Sequence, residues 1–238
     1  MGPAINNPSL AYPTLTGISS MATRELLADV ADMWRASGGN VAFESVGGVA
    51  AARRVLDGEK FDVVVLAAEA IDNLVAAGRI VPGSKTDLVN SSVAIAVRSG
   101  APRPAIATEA ALREAVLSAR TIGYSTGPSG RALLELFKRW GIAESIRSAL
   151  VQALPGVPVG TMIETGEVEL GFQQLSELMH VEGVDVIGPM PPEVEIVTTF
   201  AGAVCADSAQ VAPARALLDF IRSPAADAAK RRAGMQPV

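Results

Sequence analysis

At 238 residues the chain is long enough for one large domain or for two lobes, each with its own core. Apolar residues make up 49% of it and aromatics only 4%, a balance that suits buried Val/Ile strands covered by helices and argues against disorder. The net charge of −5 is spread along the chain and no basic run exceeds Lys230-Arg231-Arg232, so no nucleic-acid partner is expected.

The first 11 residues, with Pro3, Asn6, Asn7 and Pro8, read as a loose arm. A short strand over 12–18 runs into Ser19-Ser20. A helix follows over 22–37, with Leu26, Leu27, Val30, Ala31 and Trp34 on one face, and Gly38-Gly39 ends it. A second strand over 40–45 carries Glu44 and Ser45, then Val46-Gly47-Gly48 leads into a helix ending near Gly58. The apolar run 61–67 suits a parallel strand covered on both faces. A helix over 71–77 stops at Gly78, and 91–97 is a further apolar strand.

After Ser99-Gly100-Ala101-Pro102 the alternation begins again, with a helix over 109–119, a strand over 121–123, a turn, and a helix to Trp140. A strand at 150–154 and a helix over 159–166 follow, then a short strand leading to Gly171-Phe172-Gln173-Gln174. A strand over 198–205, an amphipathic helix over 211–222 and a last helix to about Ala233 complete the pattern. Strands alternating with helices mean parallel α/β sheets, whose ligands bind beyond the carboxyl ends of the strands. Ser19-Ser20 and Ser45-Val46-Gly47-Gly48 occupy that place, each just before a helix.

The turn Tyr124-Ser125-Thr126-Gly127-Pro128-Ser129-Gly130-Arg131 stands there too. The first N–H groups of a helix have no intrahelical partner and carry partial positive charge, so such a turn can hold an anion. Ser125, Thr126 and Ser129 add hydroxyls, Gly127 and Gly130 let a ligand approach the backbone, and Arg131 offers a fork of donors. A plainer account explains the same residues equally well: Ser129 caps the helix and the glycines shape the turn.

One cysteine, Cys205, leaves no internal disulfide or cysteine-based zinc site, and its apolar neighbours mark it as a core residue. One histidine, His180, cannot build a histidine-rich metal site, and no metal or cofactor is expected. No stretch approaches the ~18 apolar residues of a membrane span, so no membrane insertion is expected. Residues 1–12 have neither a basic segment nor an apolar core, so no signal peptide is visible. The location therefore reads as periplasmic if a leader has been removed and cytoplasmic otherwise.

The order of landmarks resembles that of the two-lobe periplasmic solute-binding proteins, in the molybdate-binding branch. The matching stretches include Gly17-Ile18-Ser19-Ser20-Met21, Phe61-Asp62-Val63-Val64-Val65-Leu66-Ala67 and Asn90-Ser91-Ser92-Val93-Ala94-Ile95-Ala96-Val97. Ile163-Glu164-Thr165-Gly166-Glu167-Val168-Glu169-Leu170-Gly171 and Ala216-Leu217-Leu218-Asp219-Phe220-Ile221-Arg222-Ser223-Pro224 match as well. The resemblance implies a two-lobe α/β fold, each lobe a mostly parallel sheet flanked by helices, with the ligand in a cleft between them. Lobe one would be 12–96 plus 202–238 and lobe two 97–201, joined by two crossing strands. It also implies a small anionic ligand and a membrane transporter permease of the ABC type as partners.

Carried over by residue, Ser20 falls on a ligand serine of that branch. The second serine position falls on Gly47 or Gly48, with Ser45 nearby, and the branch's tyrosine falls on Gln174. These departures count against molybdate itself. Arg131 and Gln174 suit a planar carboxylate, which an arginine meets bidentately. The branch also includes enzymes resembling aconitate isomerases. A proton-transfer isomerase of a di- or tricarboxylate is thus the alternative function, with Glu44, the acid nearest a cleft turn, as its candidate base.

Overall fold

The computed structural model describes residues 14–154 and 156–238. The expected N-terminal arm, and the start of the first strand at residue 12, lie outside the described residues.

Six strands run parallel in two sets of three. In the first set, β1 (Leu15–Ser20) lies between β2 (Val41–Val46) and β3 (Val63–Ala67). All five residues of β3 are buried, as its unbroken apolar run requires of a strand covered on both faces. A 3-10 turn, Met21–Thr23, and helix α1 (Arg24–Ala36) follow β1, α2 (Gly48–Leu56) follows β2, and α3 (Ala68–Ala76) follows β3.

The chain then enters the 13-residue strand β4 (Thr86–Arg98). Only its apolar second half was legible as a strand, because Thr86, Asp87, Asn90, Ser91 and Ser92 break the hydrophobic run of the first half. After β4 come α4 (Glu109–Ser118), β5 (Ile122–Tyr124), α5 (Pro128–Arg139), β6 (Leu150–Gln152), α6 (Val159–Glu164), β7 (Leu170–Gln174) and α7 (Leu175–Leu178). In this second set β5 lies between β6 and β7 in parallel. Gly171 to Gln174 form β7 itself rather than a turn after a shorter strand.

Two further strands, β8 (Val184–Pro189) and β9 (Val197–Val204), precede α8 (Val211–Arg222), α9 (Asp227–Arg232) and the short β10 (Gln236–Pro237). Neither β8 nor β10 was apparent in the sequence, since Asp185, Gly188 and Pro189 give β8 the look of a loop. The strands β4 and β9 join the two sets. From Thr86 to Ser92, β4 pairs antiparallel with β9, which pairs in turn with β3. From Val93 onward β4 pairs instead with β7 and β8. The two lobes therefore share β4, and antiparallel crossing strands edge each parallel set.

Each lobe has apolar packing on both faces of its sheet. In the first, Leu26, Leu27, Val30, Leu217, Leu218 and Ile221 cover one face, and Val55, Ile71 and Leu74 the other. In the second, Leu112, Val116, Leu133, Leu136 and Phe137 lie opposite Val159, Met162, Ile163 and Leu178. Cys205 is a core residue of the first lobe, and burial pushes its thiol up to about 12, so it is inert as a nucleophile at neutral pH.

Candidate binding cleft

The carboxyl ends of all six parallel strands open on one cleft of about 380 Å³, within the usual range for small organic ligands, ~300–1,000 Å³. The residue preceding each of six helical segments lines it: Ser20, Gly47, Ala67, Gly127, Pro158 and Gln174. Of these, only the Ser20 side chain caps its own segment, accepting from the Ala22 N–H at 3.3 Å. The other five starts have no cap from their own N-cap side chain. Helix starts without a cap from their own N-cap side chain place backbone donors along this wall.

Eight of the eleven expected contact residues line the cleft: Ser20, Gly47, Gly48, Ser125, Thr126, Ser129, Arg131 and Gln174. Ser19, Ser45 and Gly130 do not. Ser19 is fully buried and its hydroxyl lies 2.7 Å from that of Ser45, its register partner on β2, so this pair stitches β1 to β2 behind the cleft. At Gly130 a Cβ would overlap the carbonyl oxygen of Ser125. The glycine is needed for the turn to fold against α5, and it presents nothing to the cleft. Ser129 sits inside the first turn of α5, where Gly127 is the N-cap, and its hydroxyl lies 3.2 Å from that of Ser125. It is therefore not the cap of that helix. The missing second serine also has a clear position, because a Cβ on Gly48 would lie 3.6 Å from the Ser20 hydroxyl.

Glu44 is displaced from the role of cleft acid. It does not line the cleft, and Arg54 of α2 donates to both of its oxygens, at 2.5 and 2.8 Å. The same guanidinium reaches Glu59. The hydrogen bond from Arg54 holds the Glu44 carboxyl below the ordinary carboxylate range, the reverse of what a base requires. Glu44 stands only three residues before Gly47 in the chain, but its carboxyl turns to Arg54 on α2 instead of into the cleft.

Arg131 lines the cleft, but at its mouth. Its guanidinium meets Glu69 of α3 at 2.8 Å, both side chains being more than half exposed. This ion pair joins the first turns of α3 and α5 across the opening. Deeper in, the buried Gln174 donates to the Thr198 hydroxyl at 2.9 Å, while its amide oxygen has no partner. With the amide turned over, Thr198 donates to that oxygen and the NH2 becomes the free group, so Gln174 can meet either an acceptor or a donor.

Thr198, Gln173 and Glu177 also line the cleft, and the sequence did not point to them. Thr198 lies on the crossing strand β9, which carries no local motif. Gln173 accepts from the Gly160 N–H at 3.3 Å, capping α6 from another element, and donates to Glu177 at 2.9 Å. Burial raises the Glu177 carboxyl to about 7, against the lowering effect of that bond. Its signal in the sequence was weak: an acid four residues after Gln173, in a stretch otherwise buried.

The sequence pattern of the bacterial extracellular solute-binding proteins matches residues 15–236. An aconitate isomerase from Pseudomonas sp. is 36% identical over 186 residues, covering 78% of this chain and 71% of the relative. Among solved structures, the sulfate-binding protein of Mycobacterium tuberculosis H37Rv superposes with a TM-score of 0.78 at 19% identity, over 95% of this chain and 88% of that one. The periplasmic molybdate-binding protein of Azotobacter vinelandii gives a TM-score of 0.76 at 18% identity, over 93% and 98%. These two likenesses concern the fold. The match along almost the whole described chain makes this protein a member of the bacterial extracellular solute-binding protein family.

Proposed function

We propose that the cleft binds a small organic anion bearing carboxylates, and that the protein serves as the solute-binding component of an ABC-type transporter, acting outside the cytoplasm. The observation that carries this reading is the convergence of six helix starts, five without a cap from their own N-cap residue, on one cleft. The hydroxyls of Ser20, Ser125, Thr126 and Ser129 and the amide of Gln174 add neutral donors around it. Carboxylates are favoured over a tetrahedral oxyanion by the size of the cleft and by the relative at 36% identity, an aconitate isomerase. The exchange of pairing partners along β4 at 92/93, and the entry of β9 at 197, are the hinge in this reading. Lobe one and lobe two then move about it as near-rigid bodies when ligand enters. No helix among the described residues is long and apolar enough to cross a membrane.

A thermal-shift screen of citrate, cis- and trans-aconitate, shorter dicarboxylates, sulfate, phosphate and molybdate tests the reading. A ligand that binds only the native state raises the melting temperature. A di- or tricarboxylate is expected to give the largest shift. Molybdate outperforming every carboxylate would reverse the ligand assignment, and no shift with any anion would remove the binding reading.

A second reading is favoured by one observation: a half-buried acid, Glu177, faces the same cleft without a cationic partner. In this reading the bound carboxylate is isomerised, the kind of reaction that the relative's name gives for that protein, and the isomerisation proceeds by proton transfer.

A further inference from the structure

Two acids line the cleft among the described residues, Glu69 and Glu177. Glu69 is exposed at the mouth and held by Arg131. Glu177 sits in the first turn of α7, three residues after the N-cap Gln174, with Gln173 Nε2 donating to it at 2.9 Å. The Gln173 amide is oriented from its other end, where its oxygen accepts from Gly160. The carboxyl is thereby aimed by a neutral donor and paired with no cation, which leaves it free to gain and lose a proton. Among the described residues no histidine lines the cleft, so neither Ser20, Ser125 nor Ser129 has a base of that kind to activate it, and Glu177 is the one acid there without a cationic partner.

We propose that Glu177 is the group that moves a carbon-bound proton in a β,γ-unsaturated carboxylate held by the helix starts. This rests on the second reading above. The Glu177 carboxylate takes a proton from the CH2 that lies between a carboxylate and a C=C bond. The C–H electron pair is delocalised through that double bond, and the negative charge reaches the substrate carboxylates, which the backbone donors of the cleft stabilise. The Glu177 carboxylic acid then returns the proton at the far end of the allylic unit, where a new C–H bond forms as the double bond moves one position along. One C–H bond breaks and one forms, no electrons are gained or lost, and no co-reactant is consumed.

The surroundings of Glu177 suit that cycle. The elements packed on α7 are β4, β7, β8, α6 and the 3-10 turn Met21–Thr23. Their charged residues are Asp87 and Arg98 on β4, Asp185 on β8, which Arg103 holds, and Glu164 in α6. None of them contributes to the raised carboxyl, which burial pushes up against the lowering effect of the Gln173 bond. A group that titrates near 7 is matched to a base that must also act as an acid at neutral pH.

The test follows the proton spectrum of cis- and trans-aconitate in deuterated water, with wild-type protein, Glu177→Gln and Glu177→Asp. Wild type is expected to exchange or interconvert the acids, with a rate that rises through a pH near 7. Glu177→Gln is expected to bind within about threefold of wild type, measured by calorimetry, and to lose turnover by ~10²–10⁴-fold. Turnover within tenfold of wild type in folded Glu177→Gln overturns the assignment to Glu177 while leaving the isomerase reading standing. Absence of exchange in the wild type, with acids that it binds, overturns both and leaves the binding reading intact. Should Glu177→Gln fail to fold, Glu177→Asp decides: a drop of at least tenfold with a displaced pH profile supports the assignment, and an unchanged rate and profile overturns it.

Discussion

The ends of β2 and β7 pose the same local problem and solve it differently. Each strand ends in the cleft and feeds a helix, and each has a glutamate within a few residues of its end. Glu44 lies on the strand itself, outside the cleft lining, where Arg54 from the following helix takes both of its oxygens. Glu177 lies on the helix, in the turn that follows the strand, where it lines the cleft and a glutamine takes the place of the arginine. The fixed partner makes one acid a surface ion pair with a lowered carboxyl, and the neutral donor with burial leaves the other raised to about 7. Nearness to a strand end therefore does not make an acid functional. Entry into the cleft and the charge of its first partner do.

The largest expected effect breaks this comparison or keeps it. Glu44→Gln is expected to leave any turnover of aconitate within twofold of wild type, against the loss of ~10²–10⁴-fold expected for Glu177→Gln. Equal losses in both variants would erase the distinction.

The next effect is on stability. Glu177 has a folded value near 7 against 4.5 for the free side chain, so between these pH values the native state holds a proton that the unfolded chain has released. Stability from this group is full below about pH 4.5 and is lost as pH rises through 7. At 1.36 kcal/mol per unit, and allowing for its contact with the cleft, the loss is about 1–3 kcal/mol. Glu177→Gln is expected to remove that slope, so urea unfolding at pH 5 and pH 8 should show the variant gaining on wild type only at the higher pH. Glu44 has its carboxyl lowered instead, and the stability it contributes is lost as pH falls below the ordinary carboxylate range.

The smallest effect concerns the mouth. Arg131 is more than half exposed and already paired with Glu69, so Arg131→Ala is expected to lower carboxylate affinity by less than tenfold by calorimetry. A loss of a hundredfold or more would mean that Arg131 leaves Glu69 to clasp the ligand on closure.

The alternation of elements and the place of the cleft were legible because both are local. Apolar runs such as 61–67 mark strands, and the small-residue turns at Ser20, Gly47 and Ser125–Ser129 mark where strands give way to helices. What was not legible depends on pairing across the chain. Thr198 comes into contact with Gln174 only because β9 and β7 flank β4 at its crossing between sheets. The removal of Ser45 from the cleft follows from its meeting with Ser19 across β1 and β2. The distance of Glu44 from Gly47 along the chain is short, but its partner Arg54, ten residues on, draws it out of the cleft, a contact that the local motif does not reveal.

The central claim is that the convergent helix starts hold a carboxylate anion. Backbone amide chemical shifts during a titration with trans-aconitate test it most directly. The account predicts that the largest shifts fall on the N–H groups of Met21, Gly48, Val49, Ser125, Thr126 and Ser129, at the carboxyl ends of strands from both lobes. Shifts confined to one lobe, or saturating binding that leaves these amides unmoved, would contradict it.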